Sequence, residues 1–202
     1  MIKKYFTDPG FLLLLAANFY CIWYFQNNKD GFATVIWIYW FQSVIIGLFN
    51  FIDLLSIKKF DAGNLKINNE PVTSANKGCV AWFFLVHYGF FHLGYAIFLL
   101  IQFGITTING TFLLIGVSAF MFEAIVAFIR RKQQEKSGTI NFSLLFFLPY
   151  LRIVPMHLTI LLPAFLKITP SILFLVLKMV ADILAYFLYQ RIFQKNKTAA
   201  DS

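Results

Sequence analysis

The chain has 202 residues, 59% of them hydrophobic and 19% aromatic, with a mean hydropathy of +0.72 and a formal net charge of +8. Soluble domains are roughly 45–50% apolar, so this composition excludes a single water-soluble core and makes the bilayer the solvent. The positive charge does not point to nucleic acid, because the bases sit in short segments between apolar runs, a pattern of membrane topology rather than of a binding face.

The chain opens with a basic head, Lys3 and Lys4. Asp8-Pro9 reads as a helix start, since Asp accepts from free N–H groups and Pro fits the first helical position. The first span is expected over 9–25. Head and apolar run together imitate a signal peptide, but no small-x-small cleavage site follows, so an uncleaved anchor is expected. Trp23 and Tyr24 suit a membrane interface. After a polar turn at 27–31, the second span covers 32–55, with Trp37, Tyr39 and Trp40 in its outer half. Gln42 and Asp53 are eleven residues apart, which sets them about 20° apart around a helix. Asn50 lies near the same face, and this polar stripe should face protein rather than lipid. Residues 56–77 are the longest hydrophilic segment, expected as a solvated cytoplasmic connector with a turn at Asn68-Asn69-Glu70-Pro71. They contain no phosphate-binding glycine loop and no nucleophile arrangement.

The third span, 78–106, carries His87 and His92. Asn109-Gly110 marks a tight turn before the fourth span, 111–129, which holds Glu123. Arg130-Arg131-Lys132 opens a basic connector. The apolar stretch 140–167 contains Arg152 and His157 and is interrupted by Pro149, Pro155 and Pro163. A kinked or re-entrant crossing is expected there, because proline frees backbone groups that only surrounding protein can satisfy. Thr169-Pro170 again reads as a cap with a first-turn proline, and the sixth span, 170–190, carries Lys178 and Asp182. Cys21 and Cys79 fall near opposite membrane faces in this topology, too far apart to bridge, and show no metal-type spacing. No repeat or separate soluble domain interrupts a single integral membrane domain over 1–202.

Orientation follows from the bases. Lys3, Lys4, Lys58, Lys59, Lys66, Lys77, Arg130, Arg131, Lys132, Lys136, Arg191, Lys195 and Lys197 all fall on one side, and only Lys29 and Lys167 on the other. The asymmetry places both termini in the cytoplasm. The expected fold is therefore all-α: a polytopic bundle of about six transmembrane helices in the inner (cytoplasmic) membrane, with the lipid bilayer as its main partner.

All three histidines fall inside apolar stretches, where an ionisable group is costly and marks a functional candidate. At about 1.5 Å per residue from the cytoplasmic side, Glu123 lies at roughly 9 Å, His87, Arg152 and Asp182 at roughly 12–14 Å, and Gln42, Lys178, His157 and His92 at roughly 18–21 Å. Imidazole and carboxylate are ligands for zinc, iron or manganese. The leading expectation is thus an intramembrane divalent-metal site formed by His87, His157 and Asp182, with Glu123 and His92 nearby. His87 and His92 are five apart, hence about 140° apart around a helix, so one would ligate and the other support it. Haem held by two histidines is a lesser alternative. A second alternative is a proton-coupled transporter of a small solute or ion, with Arg152 or Lys178 holding an anion. The third is a scaffold in which Lys178 and Asp182, i and i+4, only neutralise each other, while Arg152 pairs with Glu123. The sequence does not decide whether the protein is an enzyme.

Three segments carry a resemblance. They are Tyr39-Trp40-Phe41-Gln42-Ser43 with Gly47-Leu48-Phe49-Asn50, His87-Tyr88-Gly89 through His92, and Arg152-Ile153 with His157-Leu158-Thr159-Ile160. They resemble an uncharacterised bacterial multi-pass membrane family, a domain of unknown function. The resemblance implies a membrane bundle and no particular activity. That family often has Glu-Asn where this chain has Gln42-Ser43, so a role for that glutamate would be missing here.

Overall fold

The computed structural model describes residues 8–28, 31–105, 107–135, 139–151, 153 and 172–194. The chain forms the expected all-α membrane bundle. Its helices are α1 (Pro9–Asn27), α2 (Gly31–Ser56), α3 (Lys77–Phe103), α4 (Gly110–Glu135), α5 (Phe142–Leu151) and α6 (Ile172–Gln194). Among the described residues, all but α5 are long and apolar enough to cross a membrane. The apolar stretch 140–167 contains α5; Arg152, Pro155, His157 and Pro163, and with them the expected kinked crossing, lie outside the described residues.

The helix starts follow local chemistry. The Asp8 carboxylate accepts from the backbone N–H groups of Gly10 and Phe11 at 2.9 and 3.4 Å, which caps α1. The Asn109 side chain does the same for Phe112 N at 3.0 Å. Helix α2 is the hub, packed against α1, α3 and α4, while α6 packs against α1 and α4. Close approach at two glycines sets this packing. A Cβ at Gly47 would meet the Tyr88 ring of α3 at 2.4 Å, and one at Gly116 of α4 would meet Ile38 at 2.7 Å. Small residues of this kind let membrane helices come together by van der Waals contact.

Two apolar clusters result. One fills the space among α1, α2, α4 and α6, around Leu14, Ile36, Ile38 and Phe120. The other joins the start of α3 to α5 and the connector, around Phe84, Phe142 and Leu145. The remaining apolar faces, such as Phe90 and Ile101 of α3, are exposed and suited to lipid.

The connector 56–77 is more than a solvated link. Strands β2 (Lys66–Ile67) and β3 (Glu70–Pro71) pair antiparallel around Asn68-Asn69, both at positive φ (51° and 68°). Two adjacent positive φ values are what a two-residue hairpin turn requires, and asparagine tolerates them well. Strand β1 (Phe60–Asp61) pairs parallel with β4 (Ile140–Asn141), tying the connector to the start of α5. The basic connector after the fourth span also differs from expectation, because α4 continues through it to Glu135. Its bases clamp the bundle: Arg130 pairs with Asp8, Arg131 with Asp53 at 2.8 Å, and Lys132 with Asp53 at 3.1 Å.

Candidate functional site

Lys178 and Asp182 face inward one turn apart on α6, both almost fully buried. The ammonium donates to Asp182 Oδ2 at 2.5 Å, to Asn18 Oδ1 of α1 at 3.4 Å and to Gln42 Oε1 of α2. The same carboxylate oxygen accepts from Asn18 Nδ2 at 3.2 Å and Gln42 Nε2 at 3.1 Å. Each amide therefore turns its oxygen to the cation and its nitrogen to the anion. Asn18 Nδ2 also reaches the Leu14 carbonyl at 2.9 Å, which fixes its rotamer. The Tyr39 ring lies with its centroid 4.0 Å from the ammonium, and that of Phe120 lies 5.0 Å away. Aromatic faces attract a desolvated cation by about 2 kcal/mol or more. Tyr39 is thus part of the wall of this cage.

The site continues along α6. Lys178, Asp182, Tyr186 and Gln190 recur every four residues, so they form one inward stripe, and all four are buried. The Tyr186 hydroxyl accepts from Arg130 at 3.0 Å and from Gln190 Nε2 at 3.2 Å. Glu123, Arg130, Tyr186 and Gln190 line a cavity of about 40 Å³ at the end of the bundle that carries the basic loops. That volume admits more than one water molecule. The described polar groups thus descend from the basic end to the caged pair.

The histidines lie elsewhere. His92 is buried and donates through Nδ1 to the Tyr88 carbonyl at 2.8 Å, since a carbonyl can only accept. In the neutral ring, Nε2 then accepts from the Ser43 hydroxyl at 2.8 Å. Tyr88 donates to the Ser43 carbonyl at 3.0 Å. This network staples α3 to α2. His87 lies on the exposed side of α3, 2.9 Å from the Tyr150 hydroxyl.

The structure brings Gln42, Lys178 and Asp182 together and buries the whole stripe of Gln42, Asn50 and Asp53. Asn50 accepts from Tyr189 at 3.2 Å, and Asp53 serves the α4 clamp instead of the cage. Glu123 is buried at the cavity. Asn18, Ser43, Tyr39 and Tyr88 were not anticipated as site residues. Asn18 is an amide in the middle of an apolar run, and Tyr39, Ser43 and Tyr88 fall in the segments that carry the family resemblance. The expected divalent-metal site is not found among the described residues. Among the described residues no group of three or more His, Cys, Asp or Glu is placed to hold a metal ion. His87 and His92 stand in separate networks, and Asp182 is engaged by Lys178. His157 and Arg152 lie outside the described residues.

No curated protein and no solved structure matches the chain. The model of a family of unknown function, DUF6498, matches residues 2–200, and the chain therefore belongs to that family.

Proposed function

We propose that the protein is a proton-coupled transporter of a small anion in the cytoplasmic membrane, with Lys178 and Asp182 as the coupling pair. The observation that carries this reading is the caged ion pair itself. A buried pair of this kind is seldom the most stable filling for a core, because well-packed apolar residues often do as well or better. Its position at mid-bundle, at the end of a polar stripe, fits a site that exchanges a proton.

The coupling follows from electrostatics. A proton taken up by Asp182 removes the anionic partner of the buried Lys178 ammonium, which keeps its contacts with the amide oxygens of Asn18 and Gln42 and with the aromatic rings. Breaking a buried ion pair costs several kcal/mol. The closed bundle is then relieved if α1 and α2 part from α6, or if an anion takes the place of the carboxylate. Either event links proton uptake to a change at the binding site, as alternating access requires. The cavity beside Tyr186 and Glu123 supplies the approach from the basic end.

The test is proton uptake into proteoliposomes carrying an internal pH dye, across a panel of small inorganic and carboxylic anions. At least one anion should accelerate uptake by the wild type, and Asp182→Asn should abolish the acceleration. Wild-type vesicles that match protein-free vesicles for every anion contradict the proposal.

A further inference from the structure

Outside the helix bundle's polar interior, a groove of about 640 Å³ runs between the start of α3, α5 and the β2–β3 hairpin. Its volume lies within the roughly 300–1,000 Å³ of small-molecule sites. The walls are Leu65, Phe83, Phe146 and Phe147, with Lys66 at the hairpin end and His87 and Tyr150 within. The Phe83 ring lies nearly parallel to those of His87 and Phe146, at 15° and 13°. A flat lipid-facing helix surface offers neither this concavity nor its polar ends.

The His87–Tyr150 pair adds a chemical requirement. One hydrogen bond joins Nδ1 to the hydroxyl. If tyrosine donates, the imidazole N–H on Nε2 is left over; if Nδ1 donates, the tyrosine O–H is. In either tautomer one donor remains to be satisfied from outside the pair. A donor left without an acceptor in apolar surroundings is costly, so an occupant with an acceptor oxygen is favoured over hydrocarbon alone. Lys66, exposed at the hairpin end, favours negative charge there. An apolar body, an acceptor oxygen and an anionic end together describe one kind of membrane component.

We propose that this groove binds a single anionic phospholipid, its phosphate at Lys66, an ester carbonyl on the His87–Tyr150 pair, and an acyl chain along Phe83, Phe146 and Phe147. The site is separate from the Lys178–Asp182 cage, and its occupancy does not depend on the transport activity.

The protein carries its own reporter. Cys79 lines the groove and is exposed, whereas Cys21 is fully buried. Detergent-purified protein is titrated with phosphatidylglycerol, phosphatidylcholine or oleate, while bound lipid is counted by native mass spectrometry and Cys79 labelling by a maleimide is timed. Phosphatidylglycerol should bind one per chain and slow labelling at lower concentration than the other two. Lys66→Glu should raise its half-saturation about fivefold or more, the effect of a basic side chain at a lipid surface. Lys59→Glu makes the same charge change outside the groove and should leave half-saturation unchanged. His87→Ala should weaken phosphatidylglycerol and phosphatidylcholine alike. Equal protection by phosphatidylcholine or oleate, an equal effect of Lys59→Glu, or labelling indifferent to every lipid would each overturn the assignment.

Discussion

At Asp182 one carboxylate oxygen takes hydrogen bonds from Lys178, Asn18 and Gln42, side chains of three different helices. Removing one charge strands the other. Lys178→Met and Asp182→Leu should each destabilise the protein by about 3–5 kcal/mol, and the double variant by much less, because it buries no lone charge. Thermal unfolding of the four proteins in one detergent measures this, and near-additive losses would show that the two side chains do not act as a pair. The double variant should also lose proton-coupled uptake, which separates a working pair from a merely structural one. Part of this site was legible in the sequence. The i, i+4 spacing of Lys178 and Asp182 gives their contact directly, and the stripe on the second span gives Gln42 an inward face. Asn18 was not legible as a partner, because nothing local states which helix meets it. The roughly 140° between His87 and His92 is legible from their spacing, but which of the two faces the bundle is not: α3 turns His87 outward and His92 inward.

Among the elements, α2 does the organising. It holds Gln42 for the cage, Ser43 for the His92 network and Asp53 for the α4 clamp. Its contact with α3 depends on the absence of a side chain at Gly47. Gly47→Ala should therefore cost about 1–3 kcal/mol by overpacking, and should displace Tyr88 from Ser43. Gly89→Ala on α3 is the natural control, since a Cβ there meets nothing within 4 Å and alanine favours a helix by up to about 1 kcal/mol. A thermal shift of the same sign and size for both variants would contradict the close-packing account. Span positions were legible because long apolar runs leave little choice of structure in lipid. The hairpin and the β1–β4 pairing were not, because strands of two residues are too short to show an alternating pattern. The turn at Asn68-Asn69 was visible from residue type alone. At Arg130-Arg131-Lys132 charge suggests a loop, yet α4 runs on to Glu135. Those side chains instead find Asp8 and Asp53, acids supplied by other parts of the chain.

For the molecule as a whole, the distribution of bases leads one to expect the basic end of the bundle in the cytoplasm. Reporter fusions after Lys66, Lys132 and Lys197 should all report that side, and fusions after Asn28 and Asn109 the opposite one. A split among the first three would overturn the orientation, and with it the direction from which protons enter the cavity. In the proposed transport cycle Asp182 changes protonation. Infrared difference spectroscopy of the bilayer-reconstituted protein observes this directly, with an anion that accelerates proton uptake added at constant pH. A protonated-carboxyl band should grow with the anion and disappear in Asp182→Asn. A spectrum without such a band, or one that keeps it in Asp182→Asn, would contradict the claim.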